Sequence, residues 1–251
     1  MKIIIHGAAG RMGRRVEEKA RDDVAGASVA ALVDPNAPSG GGELCYAALT
    51  DYTGPADVVI DFSHHTAVGT LLDYCVTRTL PVAVATTGHT AEEKETIAAA
   101  AKRVPVFYSA NMSVGVAVLA DLARRAAAAF PEADIEIIET HHNQKLDVPS
   151  GTALLLADAI REARKDATLL IGRHENGKRT AQEIGIHSIR LGGEVGTHEI
   201  MISTGSETIT LKHQAASRAL FAEGALRAAA FLIGKPAGLY SMKDILSEGE
   251  L

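Results

Sequence analysis

The opening residues narrow the choice of fold more than any other stretch of this chain. Met1-Lys2-Ile3-Ile4-Ile5-His6 is a short apolar strand that runs into Gly7-Ala8-Ala9-Gly10-Arg11-Met12-Gly13. Glycine at every third position between a strand and a helix is a variant of the dinucleotide fingerprint. Gly7 makes the tight turn, Gly10 lets a pyrophosphate approach the backbone, and Gly13 permits close helix–strand contact. A second strand, residues 28–33, ends in Asp34 at roughly the distance where a carboxylate accepts from a ribose 2′-hydroxyl. Asp34-Pro35 is also a frequent turn pair, and both readings can hold.

Strand and helix then alternate. Residues 57–62, 81–85 and 105–108 read as strands, and Thr90-Ala91-Glu92-Glu93 is a capping box that opens a helix running to Lys102. That alternation predicts a doubly wound parallel sheet, which binds ligands at the carboxyl ends of its strands. The expected cofactor-binding residues are Gly7, Ala8, Ala9, Gly10, Arg11, Met12 and Asp34, with Ala85, Thr86, Thr87, Ser109, Ala110, Asn111 and Met112 beside a nicotinamide. Asp34 would repel a 2′-phosphate, Pro35 and Asn36 supply no cation, and Arg11 offsets part of the repulsion. NADH is therefore expected to be preferred modestly, with NADPH still usable. His64 and His65 read as loop and cap residues, and Pro38-Ser39-Gly40-Gly41-Gly42 as a surface loop.

The pattern changes near residue 112. A helix over residues 113–130 leads to an isoleucine-rich strand, residues 134–139, and then to Thr140-His141-His142-Asn143-Gln144-Lys145-Leu146-Asp147-Val148-Pro149-Ser150-Gly151-Thr152-Ala153. An apolar helix follows, so this polar cluster is a strand-to-helix loop in which Ser150 or Thr152 is the N-cap. Amides at a helix start together with Lys145 favour a small carboxylate. A metal is disfavoured, because adjacent His141 and His142 point to opposite faces of a continuing strand. Three β-rich segments, residues 183–190, 197–203 and 207–213, suggest a mostly antiparallel or mixed sheet whose face away from the helices is apolar and needs cover. Ser217 caps a further helix that runs to Ile233 and is ended by Gly234-Lys235-Pro236-Ala237-Gly238.

Composition bounds the partners. A net charge of -6 argues against nucleic acid, and no apolar run is long enough for a membrane span or a signal peptide. Two cysteines, Cys45 and Cys75, provide no disulfide framework and suit a cytoplasmic protein.

Taken together, these residues resemble the 4-hydroxy-tetrahydrodipicolinate reductase (dihydrodipicolinate reductase) family of lysine and diaminopimelate biosynthesis, along essentially the whole chain. The segment from His141 to Ala153 matches the family signature H-H-x-x-K-x-D-x-P-S-G-T-A; the opening glycine turn, Ala85-Thr86-Thr87-Gly88, Ser217-Arg218-Ala219-Leu220-Phe221-Ala222 and Gly238-Leu239-Tyr240-Ser241-Met242 match as well. Ala85, Ala110, Met112 and Ala117 depart from it, standing where Gly, Pro, Phe and Asn are common. The resemblance implies an N-terminal Rossmann domain, residues 1–111 and 218–251, and an α+β substrate-binding and oligomerisation domain, residues 112–217, that assembles into a homotetramer. It implies hydride transfer from NADH or NADPH to a cyclic imine bearing two carboxylates. His141 and Lys145 would handle the proton, and His142, Ser150, Gly151, Thr152 and Arg218 would hold the substrate. The residues argue independently for the same chemistry, since a hydride-reduced conjugated ring needs a general acid working near neutrality, for which histidine is the default. Another dinucleotide-dependent dehydrogenase, such as an amino-acid dehydrogenase, would explain the glycine turn but not the dense polar loop. A non-catalytic dinucleotide sensor would need no acid and amine in that loop.

Overall fold

Ile3, Ile4 and Ile5 are wholly buried because the strand that carries them, β1 (Lys2–His6), is flanked by parallel neighbours on both sides. The computed structural model describes residues 1–36 and 44–249; the loop expected at Pro38 to Gly42 lies outside the described residues. After β1 come α1 (Arg11–Arg21), β2 (Ser28–Val33), the two-residue β3 (Cys45–Tyr46), β4 (Val58–Asp61), α2 (Val68–Arg78), β5 (Val82–Val84), α3 (Ala91–Ala100) and β6 (Pro105–Tyr108). The expected capping box opens α3: Thr90 Oγ accepts from the Glu93 amide (3.2 Å) and Glu93 accepts from the Thr90 amide (2.8 Å). Val59, Val82, Val84 and Val106 pack with Leu71, Leu72 and Ile97 into one core.

The chain then builds α4 (Val114–Ala129), β7 (Asp134–His141), α5 (Gly151–Ala163), β8 (Thr168–Ile171), β9 (Glu183–Arg190), β10 (Thr197–Ser203) and β11 (Thr208–Gln214). It ends with α6 (Ala219–Leu232), β12 (Gly238–Tyr240) and α7 (Met242–Glu248). Two compact units result: residues Met1–Ser113 with Ala219–Leu251, and residues Val114–Arg218. The first holds a seven-stranded sheet in the order β12-β6-β5-β4-β1-β2-β3, every pairing parallel, as a doubly wound fold requires.

The second unit narrows two expectations. Its sheet, β11-β10-β7-β9-β8, is mixed and not mostly antiparallel: β10 pairs antiparallel with β7 and β11, while β9 lies parallel to both β7 and β8. The connection from β7 through α5 crosses over the sheet, and a crossover returns the chain in the same direction. The four-residue β8 was not among the expected strands. Nor is the face away from the helices wholly apolar, although Ile189 on it is exposed. Strict alternation in β7 sends Ile135 and Ile137 into the core with Leu119, Leu156 and Ile160. The opposite face carries Glu136, Ile138, Thr140, His187, Glu199 and Met201, and Glu136 is ion-paired to Arg179 (2.6 Å) and His187 (2.8 Å).

Candidate active site

Strand alternation also assembles the chemistry of the second unit. On the inner face of β7, Glu139 and His141 are two residues apart, so their side chains lie on one side. Register places His198 of β10 opposite Glu139, and Arg190 of β9 opposite His141. Glu139 is completely buried, yet all of its charge is answered. Arg190 grips it with two nitrogens, Nη1 to Oε2 at 2.9 Å and Nη2 to Oε1 at 3.0 Å. The Ser150 amide donates to Oε1 (3.2 Å), and His141 Nδ1 lies 2.5 Å from Oε2. Burial alone would push this carboxyl up, but the bonds from His141 and Arg190 outweigh it and hold Glu139 well below the usual carboxylate range.

With Nδ1 engaged by Glu139, Nε2 is the other ring nitrogen of His141. A Cβ on Gly196 would come within 3.0 Å of that atom, so glycine there leaves the nitrogen room. The His198 ring stands edge-on to His141, centroids 5.1 Å apart, and its Nε2 lies 3.1 Å from Ser150 Oγ. Burial, with His141 nearby, pushes His198 down to about 4, so it is a neutral partner at physiological pH. Ser150 is the N-cap of α5: its Oγ accepts from the Ala153 amide at 3.1 Å. Gly151 follows, exposed, with open space where a Cβ would be, and Thr152 completes the first turn half-buried. Lys145 is 2.9 Å from Asp147, so the amine is held at the loop by the chain's own carboxylate. Beyond β7, His142 turns away from Glu139 and accepts from Arg218 Nη2 at 3.2 Å. Desolvation and the Arg218 cation push His142 below its ordinary value, consistent with an acceptor.

The first unit presents the glycine turn. Gly7 takes a positive φ of 81°, and a Cβ there would strike the Phe62 carbonyl at 2.5 Å. A Cβ on Gly13 would meet Gly7 O at 2.2 Å, which is the close helix–strand approach expected of that position. Gly10 is the N-cap of α1, with no side-chain cap and no acidic residue in the first turn. Arg11 and Met12 open that helix, so its start suits the phosphates of a dinucleotide. Asp34, 7% exposed at the end of β2, accepts from the Ala9 amide (3.1 Å) and the Asn36 amide (2.8 Å). It therefore stands directly against the Gly7-Ala8-Ala9 turn.

At the ends of β5 and β6 the expected residues divide. Ala85 is buried, and the Thr86 hydroxyl is spent on buried Asp61 at 2.7 Å. Asp61 also takes Ser63 Oγ (2.6 Å) and His6 Nδ1 (2.8 Å), whereas Thr87 is exposed. Ser109 Oγ donates to Asn111 O (2.7 Å), Asn111 Oδ1 accepts from the Ser113 amide (2.8 Å), and Ala110 is exposed. Met112 is 2% exposed, so its side chain belongs to the interior. His64 and His65 have the local roles expected of them: His64 caps a 3₁₀ turn and His65 bonds Glu93 at 2.9 Å.

Comparison with known proteins decides the family. Residues 1–112 match the family described as dihydrodipicolinate reductase, N-terminus, and residues 115–246 match dihydrodipicolinate reductase, C-terminus. The chain belongs to the dihydrodipicolinate reductase family. It is an oxidoreductase accordingly. The 4-hydroxy-tetrahydrodipicolinate reductase of Caldanaerobacter subterraneus subsp. tengcongensis is 43% identical over 256 residues, covering 99% of each chain. That of Clostridium novyi is 42% identical over 247 residues, covering 98% of each. Among solved structures, the dipicolinate-bound dihydrodipicolinate reductase of Paenisporosarcina sp. TG-14 superposes with a TM-score of 0.82 at 26% identity, covering 98% of this chain and 99% of that one.

Four residues of the site were not singled out in the sequence: Glu139, Arg190, Gly196 and His198. Only Glu139 left a readable trace, a carboxylate two positions before a histidine in an alternating strand. The other three reach the site through strand pairing, which no local pattern encodes.

Proposed function

We propose that this chain catalyses the NAD(P)H-dependent reduction of 4-hydroxy-tetrahydrodipicolinate to tetrahydrodipicolinate, the step of lysine and diaminopimelate biosynthesis for which its family is named. The observation that supports it most is His141, whose Nδ1 is held by buried Glu139 and whose Nε2 is left to work near the start of α5. Replacing a 4-hydroxyl by hydrogen consumes one hydride and one proton and releases water. Loss of water leaves a conjugated ring, and hydride addition at one carbon builds negative charge that a proton must quench at a neighbour. The bound nicotinamide supplies the hydride. His141, assisted by Lys145, supplies the proton. One substrate carboxylate takes the first turn of α5 at Ser150, Gly151 and Thr152 with the Lys145 amine, which exchanges Asp147 for the ligand. His142 and Arg218 hold the second.

Gly7, Ala8, Ala9, Gly10, Arg11 and Met12 would hold the nicotinamide dinucleotide, Asp34 would take its ribose, and Ala85, Thr86, Thr87, Ser109, Ala110, Asn111 and Met112 would flank the nicotinamide. Because Asp34 already accepts two amides, it can take a ribose hydroxyl but opposes a 2′-phosphate. NADH is preferred modestly over NADPH. The cytoplasm is the working compartment, and a homotetramer built through the second unit's sheet is the working form.

The deciding assay follows nicotinamide absorbance while a synthase generates the substrate from pyruvate and aspartate semialdehyde. Oxidation of NADH that depends on the synthase product, inhibited competitively by pyridine-2,6-dicarboxylate, is expected. Absence of product-dependent oxidation with either nucleotide would overturn the assignment. A specificity constant strongly favouring NADPH would overturn the role given to Asp34.

A further inference from the structure

We propose that Glu139 is the positioning residue of the reaction: one buried carboxylate that sets both the proton donor His141 and the start of the helix that receives the substrate carboxylate. The inference rests on the function proposed above. Its geometric basis is the division of labour between the two oxygens of Glu139. Oε2 meets His141 Nδ1 at 2.5 Å and Oε1 accepts from the Ser150 amide at 3.2 Å. No rotatable bond of Glu139 lies between the two oxygens, so the place of the acid and the place of α5 are set by the same rigid plane. Arg190 fixes that plane with its two-pronged grip, and its Nη2 also donates to the Asp147 carbonyl at 2.7 Å. The loop is thereby tied at Asp147 and Ser150, on either side of its turn into the helix.

An ion pair kept only for stability would need Arg190 and Glu139 alone. What it would not need is a histidine on the same oxygen and the first amide before an anion-binding helix on the other. The groups facing His141 are Glu139 on its own strand, His198 on β10 and Arg190 on β9, with the Lys145 cation and the His142 ring in the loop nearby. Of these, Glu139 is the one anion. It accepts from Nδ1–H and compensates the charge that arises when Nε2 also carries a proton. The arrangement resembles other histidine–carboxylate pairs, in which the carboxylate holds the imidazole in the correct tautomer and does not itself exchange a proton.

The test uses the full chain with Glu139→Gln and Glu139→Asp, and reads four quantities. These are turnover against pH, KM, affinity for pyridine-2,6-dicarboxylate, and the nitrogen resonances of His141 in ¹⁵N-histidine-labelled protein. Glutamine can still accept from the Ser150 amide but turns an N–H toward His141 or Arg190, where an acceptor is required. Turnover should fall by roughly 10²-fold, the scale of a general acid's contribution. The limb of the profile that falls with rising pH should move to lower pH, and the Nδ1-bound proton of His141 should be lost. Dicarboxylate affinity should change far less than turnover. Glu139→Asp keeps the charge but shortens its reach, so it should restore the pH profile and only part of the turnover. Wild-type turnover with an unmoved profile in Glu139→Gln would overturn the proposal. Should Glu139→Gln fail to fold, the wild-type spectrum decides: a proton on Nδ1 of His141 supports it, and an unprotonated Nδ1 overturns it. Wild-type protein that turns over no substrate overturns the functional reading instead, and the spectra of wild type and Glu139→Asp still decide whether Glu139 sets the tautomer.

Discussion

His141 and His142 are neighbours in the chain, but the strand they end sends them to different partners, one to Glu139 and the other to Arg218. That divergence predicts different phenotypes. His141→Gln keeps a polar side chain but removes the donor, so turnover should fall roughly 10²–10⁴-fold with dicarboxylate affinity nearly intact. His142→Gln should mainly raise KM. Steady-state kinetics with calorimetric titration of pyridine-2,6-dicarboxylate distinguishes them, and normal turnover in His141→Gln would move the acid elsewhere, to Lys145 first. Lys145→Ala should weaken dicarboxylate binding by about 1.5–3 kcal/mol, the range for a charge-assisted hydrogen bond, and should also slow turnover. The loss should lie toward the lower end, since the amine must first leave Asp147. At this scale much was legible in the sequence, because the loop from His141 to Thr152 concentrates its chemistry in consecutive residues. Thr86 shows the limit: nothing local in the sequence says that its hydroxyl donates to Asp61, a residue at the end of another strand.

Among the elements, β1, β4 and β5 of the parallel sheet were readable because each is a run of Val, Ile or Ala bounded by turn residues, whereas its edge strands β3 and β12 were not. The mixed sheet was not, because direction is set by what the connection crosses and the Thr-Leu-Leu-Ile of β8 shows no alternation. β10 carries a consequence that the periodicity hides. His198, buried in the core-facing row of that strand, is pushed down to about 4 from an unfolded value near 6.5. Between those values the unfolded chain binds the proton and the folded one does not, so stability contributed by the neutral ring is complete above about pH 6.5 and declines as pH falls toward 4. The melting temperature should drop through that window. His198→Gln, which cannot titrate, should flatten the drop even if its melting temperature at pH 7 is lower. Parallel curves for the two proteins would remove His198 as the cause. Glu139 acts in the same sense at more acidic pH, because its carboxyl is held low and its contribution disappears only as that carboxyl is protonated.

On the scale of the whole molecule, the chain crosses between its two units at Ser113–Val114 and again at Arg218–Ala219. The proposed acid and anion-binding groups belong to one unit and the glycine turn to the other. If hydride transfer joins them, the crossings are where the backbone has to give. Hydrogen exchange near Met112 and Ser217 should slow when NADH and pyridine-2,6-dicarboxylate are added together, more than with either alone; unchanged exchange would argue against a hinge there. The two crossings also dictate an order of events on the ribosome. The first unit cannot finish without α6 and β12, because Phe231 of α6 packs against Phe107 and β12 covers the edge of β6. At about 5–20 residues per second, the segment between Ser113 and Ala219 takes roughly 5–20 s to synthesise. During that interval a nascent β6 has an open edge and its apolar face lacks a cover, while the second unit is still being made. A chain stalled short of Ala219 is thus the form most exposed to chaperones and to aggregation.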